Sequence, residues 1–192
     1  MSAPRRLPTR LPGLALVEPA AFADERGFFA ETYRREWHEE LGIPAAEQFI
    51  QDNHSRSARG VVRGMHFHIG AGVAKLVRCA RGRILDVAVD LRRGSPTYGE
   101  WEGVELDEHT LRELYVPIGF AHGFCVLSDF ADVLYKQTAY YDPAVERGIA
   151  WNDPDIAIAW PLPAAELVVS ERDAQAPRLA QVADSLPFQY RA

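Results

Sequence analysis

Gly60-Val-Val-Arg-Gly-Met-His-Phe-His68 and Pro117-Ile-Gly-Phe-Ala-His122 are the two stretches whose reading decides the fold. Each sets imidazole inside a run of strand-forming residues, and together they hold three of the six histidines. Successive side chains in a strand point to opposite faces. His66 and His68 therefore share a face, and Arg63 falls on the other one unless Gly64 introduces a bulge. Lys75 follows in the apolar run Val73-Ala-Lys-Leu-Val-Arg-Cys-Ala80. A set of His, Lys and Arg on β-structure, with few acids nearby, predicts a site that binds an anion and moves protons.

On both sides of these stretches the chain repeats one pattern, short β-branched and aromatic runs between turn signals. Strands are predicted over residues 14–17, 28–33, 49–53, 61–67, 75–80, 84–90, 103–106, 113–116, 121–126 and 133–140. Arg81-Gly82 reads as a hairpin turn and Arg93-Gly-Ser-Pro-Thr97 as a longer connection. A short helix is predicted over 34–41, stopped by Gly42 and Pro44, and a second over 171–185, interrupted by Pro177. Many short strands with few helices predict an all-β sandwich or barrel rather than a βαβ fold. The 192 residues are read as one domain, 1–192, with a core over about 45–160. The flanks, roughly 1–45 and 155–192, must wrap that core or pack on a partner.

Composition narrows the function. Hydrophobic content of 47% and charged content of 25% place the chain among soluble globular domains. A net charge of −6 argues against nucleic acid and against an anionic membrane surface, so an anionic ligand must meet a local basic pocket. The arginine-containing start, Met1 to Pro12, is broken by three prolines and has no apolar stretch of signal-peptide length, and no later segment could span a bilayer. Cys79 and Cys125 sit in apolar runs and read as buried free thiols in a reducing cytoplasm. Of 21 basic residues only Lys75 and Lys136 are lysine, which marks them for tasks that need a compact amine.

Gly-x5-His-x-His followed by Pro-x-Gly-x2-His resembles the skeleton of the cupin jelly roll. In metal-binding cupins two His and a Glu come from the first motif and a His from the second. His66, His68 and His122 match the histidines, but Gly72 and Val73 stand where the Glu belongs, and Lys75 would compete with a metal. The metal-free reading is therefore preferred. Asp24-Glu-Arg-Gly-Phe-Phe-Ala-Glu31, Gln51-Asp-Asn-His-Ser55, Gly60 to His66, Lys75-Leu-Val, Asp86-Val-Ala-Val-Asp90, Ser95-Pro-Thr-Tyr-Gly99, Gly119 to Phe124, Leu134-Tyr-Lys136, Tyr140-Tyr141 and Trp151-Asn-Asp-Pro154 occur in this order. Together they resemble the dTDP-4-dehydrorhamnose 3,5-epimerase family of cofactor-free cupins, over about residues 12–180.

The resemblance implies a homodimer acting on a dTDP-4-dehydro-6-deoxyhexose in deoxysugar biosynthesis, inverting the carbons beside the ketone through an enolate. It implies His66 as the base paired with Asp173, Lys75 as the enolate stabiliser and Tyr135 as the acid on the opposite face. Substrate contacts are implied for Arg63, His68 and His122, and for Gln51, Asp52 and Asn53. Tyr141 would stack on thymine, with Glu146 and Arg172 as further nucleotide contacts. Arg26, Phe28 and Glu31 would come from the neighbouring subunit on an exchanged N-terminal strand. One position departs from the family: its usual glutamine is His68 here. The competing readings are a single-carbon epimerase or ketoisomerase, a metal-dependent cupin dioxygenase, and a non-catalytic sugar-nucleotide binding protein.

Overall fold

The computed structural model describes residues 3–44 and 48–191, and turn glycines between apolar runs make nearly all of it strand and loop. β1 (Arg5–Leu7) and β2 (Ala15–Glu18) open the chain. β3 (Ala21–Asp24) and β4 (Gly27–Ala30) form a separate hairpin, followed by α1 (Arg35–Glu40). Then come β5 (Gln51–Ala58), β6 (Val62–His68), β7 (Lys75–Arg81), β8 (Arg83–Asp90), β9 (Trp101–Asp107), β10 (Glu113–Val116), β11 (Phe120–Val126), β12 (Phe130–Gln137) and β13 (Glu146–Gly148). Two short helices, α2 (Glu171–Ala174) and α3 (Leu179–Val182), lie near the C-terminus.

One sheet has the order β1-β2-β10-β7-β12-β5 and the other β13-β6-β11-β8-β9. From β5 to β13 every connection crosses between the sheets except β8 to β9, which is jelly-roll connectivity. Val77, Cys79 and Val133 of the first sheet meet Ile84, Ala88, Phe120 and Phe124 of the second in the central core. The flanks wrap the outer faces. Tyr33, Leu41, Ile43 and Phe49 cover Leu76 and Tyr115 on the first sheet. Ile149, Ile156, Leu179, Leu186 and Phe188 cover Met65, Phe67, Val87 and Val89 on the second. With both faces covered, all seven residues of β11 are buried, so it reads as a continuous apolar run instead of an alternating one.

Three expectations are corrected. Arg81-Gly82 is a corner, not a hairpin turn, because β7 and β8 belong to different sheets. Gly82 takes φ +81°, and a Cβ there would lie 2.2 Å from the Phe130 carbonyl oxygen, so the chain turns through a gap only glycine fits. The strand predicted over 28–33 is found shorter and earlier, as Gly27–Ala30, the second arm of the β3–β4 hairpin, which joins neither large sheet. The helix predicted over 171–185 is two short helices separated around Pro177, whose ring cannot continue the first. No helix among the described residues is long and apolar enough to cross a membrane.

Candidate active site

The bulge decides what faces the barrel interior. On β11 His122 pairs with His66 and Phe124 with Arg63, so two steps along β11 oppose three along β6. The extra residue lies at Gly64, at φ +124°, where a Cβ would come 2.6 Å from Gly123 Cα. This one-residue excess brings Arg63 onto the face of His66, reversing the simple alternation. Both line one cavity of about 510 Å³ with Lys75, His122 and Tyr135.

Within it, His66 Nε2 lies 2.7 Å from Asp173 Oδ1. Asp173 is held in place by two devices. Ser170 caps α2 by accepting from the Asp173 N–H at 3.1 Å, and the Gly64 N–H donates to Asp173 Oδ2 at 3.3 Å. Burial raises the Asp173 pKa, but the hydrogen bond and charge of His66 outweigh it and hold the carboxyl below its ordinary value. With the carboxylate on Nε2, the other ring nitrogen of His66 is left for a reacting proton.

Lys75 is 8% exposed, and its ammonium forms no hydrogen bond or ion pair among the described residues. Burial lowers its pKa to about 8, although the charges of Glu146 and Asp86 oppose the shift. Burial likewise raises Tyr135, with Glu146 adding to it, so its hydroxyl keeps its proton at neutral pH. His122 Nε2 meets Asp86 Oδ1 at 2.8 Å. Burial keeps this imidazole neutral by lowering its pKa against the pull of Asp86. His68 is 4% exposed, its Nε2 is buried without a partner, and burial and then Lys75 lower its pKa.

The remaining expected residues divide. Gln51, Asn53 and Gln137 satisfy one another through amide hydrogen bonds of 2.9–3.0 Å, and Gln51 Oε1 accepts from the Tyr141 N–H at 2.9 Å. Tyr141 stands at the cavity's rim, 53% exposed. Arg172 pairs with Glu146 at 2.5 Å, and both line the cavity. A second cavity of about 560 Å³ adjoins the first and shares His66, Glu146, Arg172 and Asp173 with it. Asp52 lies elsewhere: it alternates away from Gln51 and Asn53, and on the outer face it accepts from Lys136 Nζ at 2.9 Å. That contact, with the Tyr33 ring 5.3 Å from the ammonium, also accounts for Lys136. Arg26, Phe28 and Glu31 stand outside the cavity of their own chain. Arg26 pairs with Asp24, Glu31 with Arg34, and Phe28 is 62% exposed.

Asp86, Ser55 and Ser57 were not singled out from sequence. For Asp86 the signal was present, an acid within the apolar run 84–89. Among the described residues no group of three or more His, Cys, Asp and Glu could hold a metal ion. The Nε2 atoms of His66 and His122 already meet carboxylates.

Comparison with known proteins gives a consistent result. The family model described as dTDP-4-dehydrorhamnose 3,5-epimerase matches residues 8–181. The dTDP-4-dehydrorhamnose 3,5-epimerase of Pseudomonas aeruginosa is 51% identical over 178 residues, 92% of this chain and 96% of that protein. A dTDP-4-dehydrorhamnose 3-epimerase of Streptomyces niveus is 43% identical over 94% of this chain and 86% of its own length. The crystal structure of the Legionella pneumophila dTDP-6-deoxy-D-glucose-3,5-epimerase in complex with dTDP-4-keto-L-rhamnose superposes with a TM-score of 0.93. It is 43% identical and covers 98% of this chain and 100% of that one.

Proposed function

The chain belongs to the dTDP-4-dehydrorhamnose 3,5-epimerase family, and on that premise we propose that it inverts both carbons flanking the ketone of a dTDP-4-dehydro-6-deoxyhexose. The observation that carries this is a cavity in which a His–carboxylate pair, a buried unpaired ammonium and a protonated phenol converge. The free nitrogen of His66 takes the proton from the carbon next to the ketone, and Asp173 stabilises the resulting imidazolium. The electron pair of the broken C–H bond moves onto the ketone oxygen, where the Lys75 ammonium stabilises the enolate. The Tyr135 hydroxyl then gives its proton to the opposite face of the same carbon. Arg63 and Arg172 meet the diphosphate, and Tyr141 stacks on the base.

No cofactor enters this scheme, because one proton leaves the carbon for His66 and another arrives from Tyr135 with no change in oxidation state, and the imidazolium and tyrosinate are then reset by giving up and taking a proton through solvent. A metal beside Lys75 would face like-charge repulsion of several kcal/mol at about 6 Å, taking an effective dielectric near 20. Dialysis against a chelator should accordingly leave turnover unchanged.

The assembly we propose is a homodimer. The hairpin β3–β4 exposes Phe22, Phe28 and Phe29 and joins neither sheet of its own chain, as expected of a segment that packs on a second copy and brings Arg26 and Glu31 to that copy's cavity. The buried thiols Cys79 and Cys125, raised by burial to about 12 and about 11, suit a reducing cytoplasm.

Incubation with dTDP-4-dehydro-6-deoxyglucose in deuterium oxide, followed by NMR, tests the activity. Deuterium and inversion are expected at both carbons beside the ketone. Inversion confined to one would assign the chain to the single-carbon epimerases, and no exchange would overturn the reading.

A further inference from the structure

Ser55, Ser57 and Arg63 form a group that the catalytic scheme leaves unexplained. Gln51, Asn53, Ser55 and Ser57 alternate along the inward face of β5. The first two are satisfied by Gln137 and by each other. The Ser57 hydroxyl accepts from Arg63 Nε at 2.9 Å, and Ser57 is 6% exposed. That bond fixes the inner edge of the guanidinium and leaves its two terminal nitrogens without a protein partner among the described residues. The Ser55 Oγ is buried and has no hydrogen-bond partner, yet Ser55 lines the same cavity as Arg63. A buried hydroxyl without a partner is unfavourable by about 1–3 kcal/mol, and such groups normally find one when the site is filled. Glu146, an acid on this cavity, is already paired with Arg172. The local field beside Arg63 therefore favours an anion, and a fixed guanidinium with free terminal N–H groups suits a phosphoryl group.

We propose that Ser55 is a further substrate contact and Ser57 a positioning residue: Ser57 holds Arg63 at Nε, and Ser55 donates its hydroxyl proton to a phosphoryl oxygen of the ligand that Arg63 binds. This rests on the sugar-nucleotide reading above and assigns two serines to its diphosphate.

Calorimetric titration with dTDP and, separately, with thymidine tests it, since only dTDP carries the diphosphate. Ser55→Ala should weaken dTDP about tenfold, the scale of one hydrogen bond to a charged group, and leave thymidine unchanged. Ser57→Ala should weaken dTDP by a smaller factor, roughly threefold, and Ser57→Thr, which keeps the hydroxyl, should restore it. In an Arg63→Ala background, Ser57→Ala should have no further effect, as expected of a residue acting only through Arg63. Unchanged dTDP affinity in Ser55→Ala, or equal loss for dTDP and thymidine, would overturn the assignment. Wild-type protein binding dTDP no better than thymidine would overturn the nucleotide reading, and this proposal with it.

Discussion

His66 has one ring nitrogen committed to Asp173 and one free, and this asymmetry makes it testable as a base. His66→Asn should lower deuterium exchange by on the order of 10²–10⁴-fold with dTDP affinity nearly unchanged. Exchange near the wild-type rate would return His66 to a structural role. Lys75 yields a prediction in pH. Its pKa of about 8 lies below the usual 10.5 because burial disfavours the ammonium, and the ammonium is the form that stabilises an enolate. Raising the pH through 8 removes it. The alkaline limb of kcat/KM should therefore begin near pH 8 and fall about tenfold per unit. Lys75→Arg, charged throughout, should lack that limb even if slower, and a limb that persisted in this variant would belong to another group. At this scale the sequence was informative where a residue contradicted its surroundings. Lys75 is a lone amine in an apolar run and His66 an imidazole in a strand. Asp52 faces away from Gln51 and Asn53 because adjacency in sequence is not adjacency on a pleated strand.

The bulge in β6 is the element on which the site's geometry turns. Gly64→Ala would place a methyl group 2.6 Å from Gly123 Cα and 2.7 Å from the His122 carbonyl oxygen. Both are backbone atoms that cannot swing aside, and the positive φ adds strain of roughly 1–3 kcal/mol. We expect Tm to fall by about 5–15 °C and activity to fall further than the loss of folded protein explains. Gly70→Ala serves as a control. Its φ of +75° is also positive, but nothing lies within 4 Å, so a loss of about 1 kcal/mol with activity retained is expected. A scanning-calorimetry trace with equal shifts for both would remove the bulge from the argument. Runs of strand-forming apolar residues located β6, β7, β8 and β11, whose side chains are largely core. It misplaced the ends of β5 and β12, predicted at 49–53 and 133–140 and found at Gln51–Ala58 and Phe130–Gln137. The inward face of β5 carries Asn53, Ser55 and Ser57, so its polar-on-both-sides pattern imitates a loop.

At the scale of the molecule, a chain of net charge −6 holds a cavity with Arg63, Lys75 and Arg172 on its walls. Bulk charge excluded broad classes of partner, but it could not reveal the pocket, which folding creates by bringing distant cations together. Nor does composition bear on the proposed homodimer. The exposed phenylalanines of β3–β4 make it testable. Deleting residues 1–33 should yield a protein that elutes as a monomer by light scattering and binds dTDP at least tenfold more weakly, the scale of losing a charged contact such as Arg26. A dimer that survived the deletion, or a monomer of unchanged affinity, would separate the hairpin from both roles.

The pair at the centre of the site is separated by 107 residues. Closing so long a loop is entropically unfavourable and slow, and the segment between contributes seven of the eleven strands of the two large sheets, β7 to β13. Asp173 lies late in the chain, on a short helix that packs on β6. Proton-transfer competence should thus be a late property in refolding, acquired after the barrel has closed and lost early when the C-terminal cover loosens. A nick anywhere between 155 and 170 could leave most of the sandwich standing and still silence turnover, which makes catalysis itself the most sensitive reporter of whether this chain has finished folding.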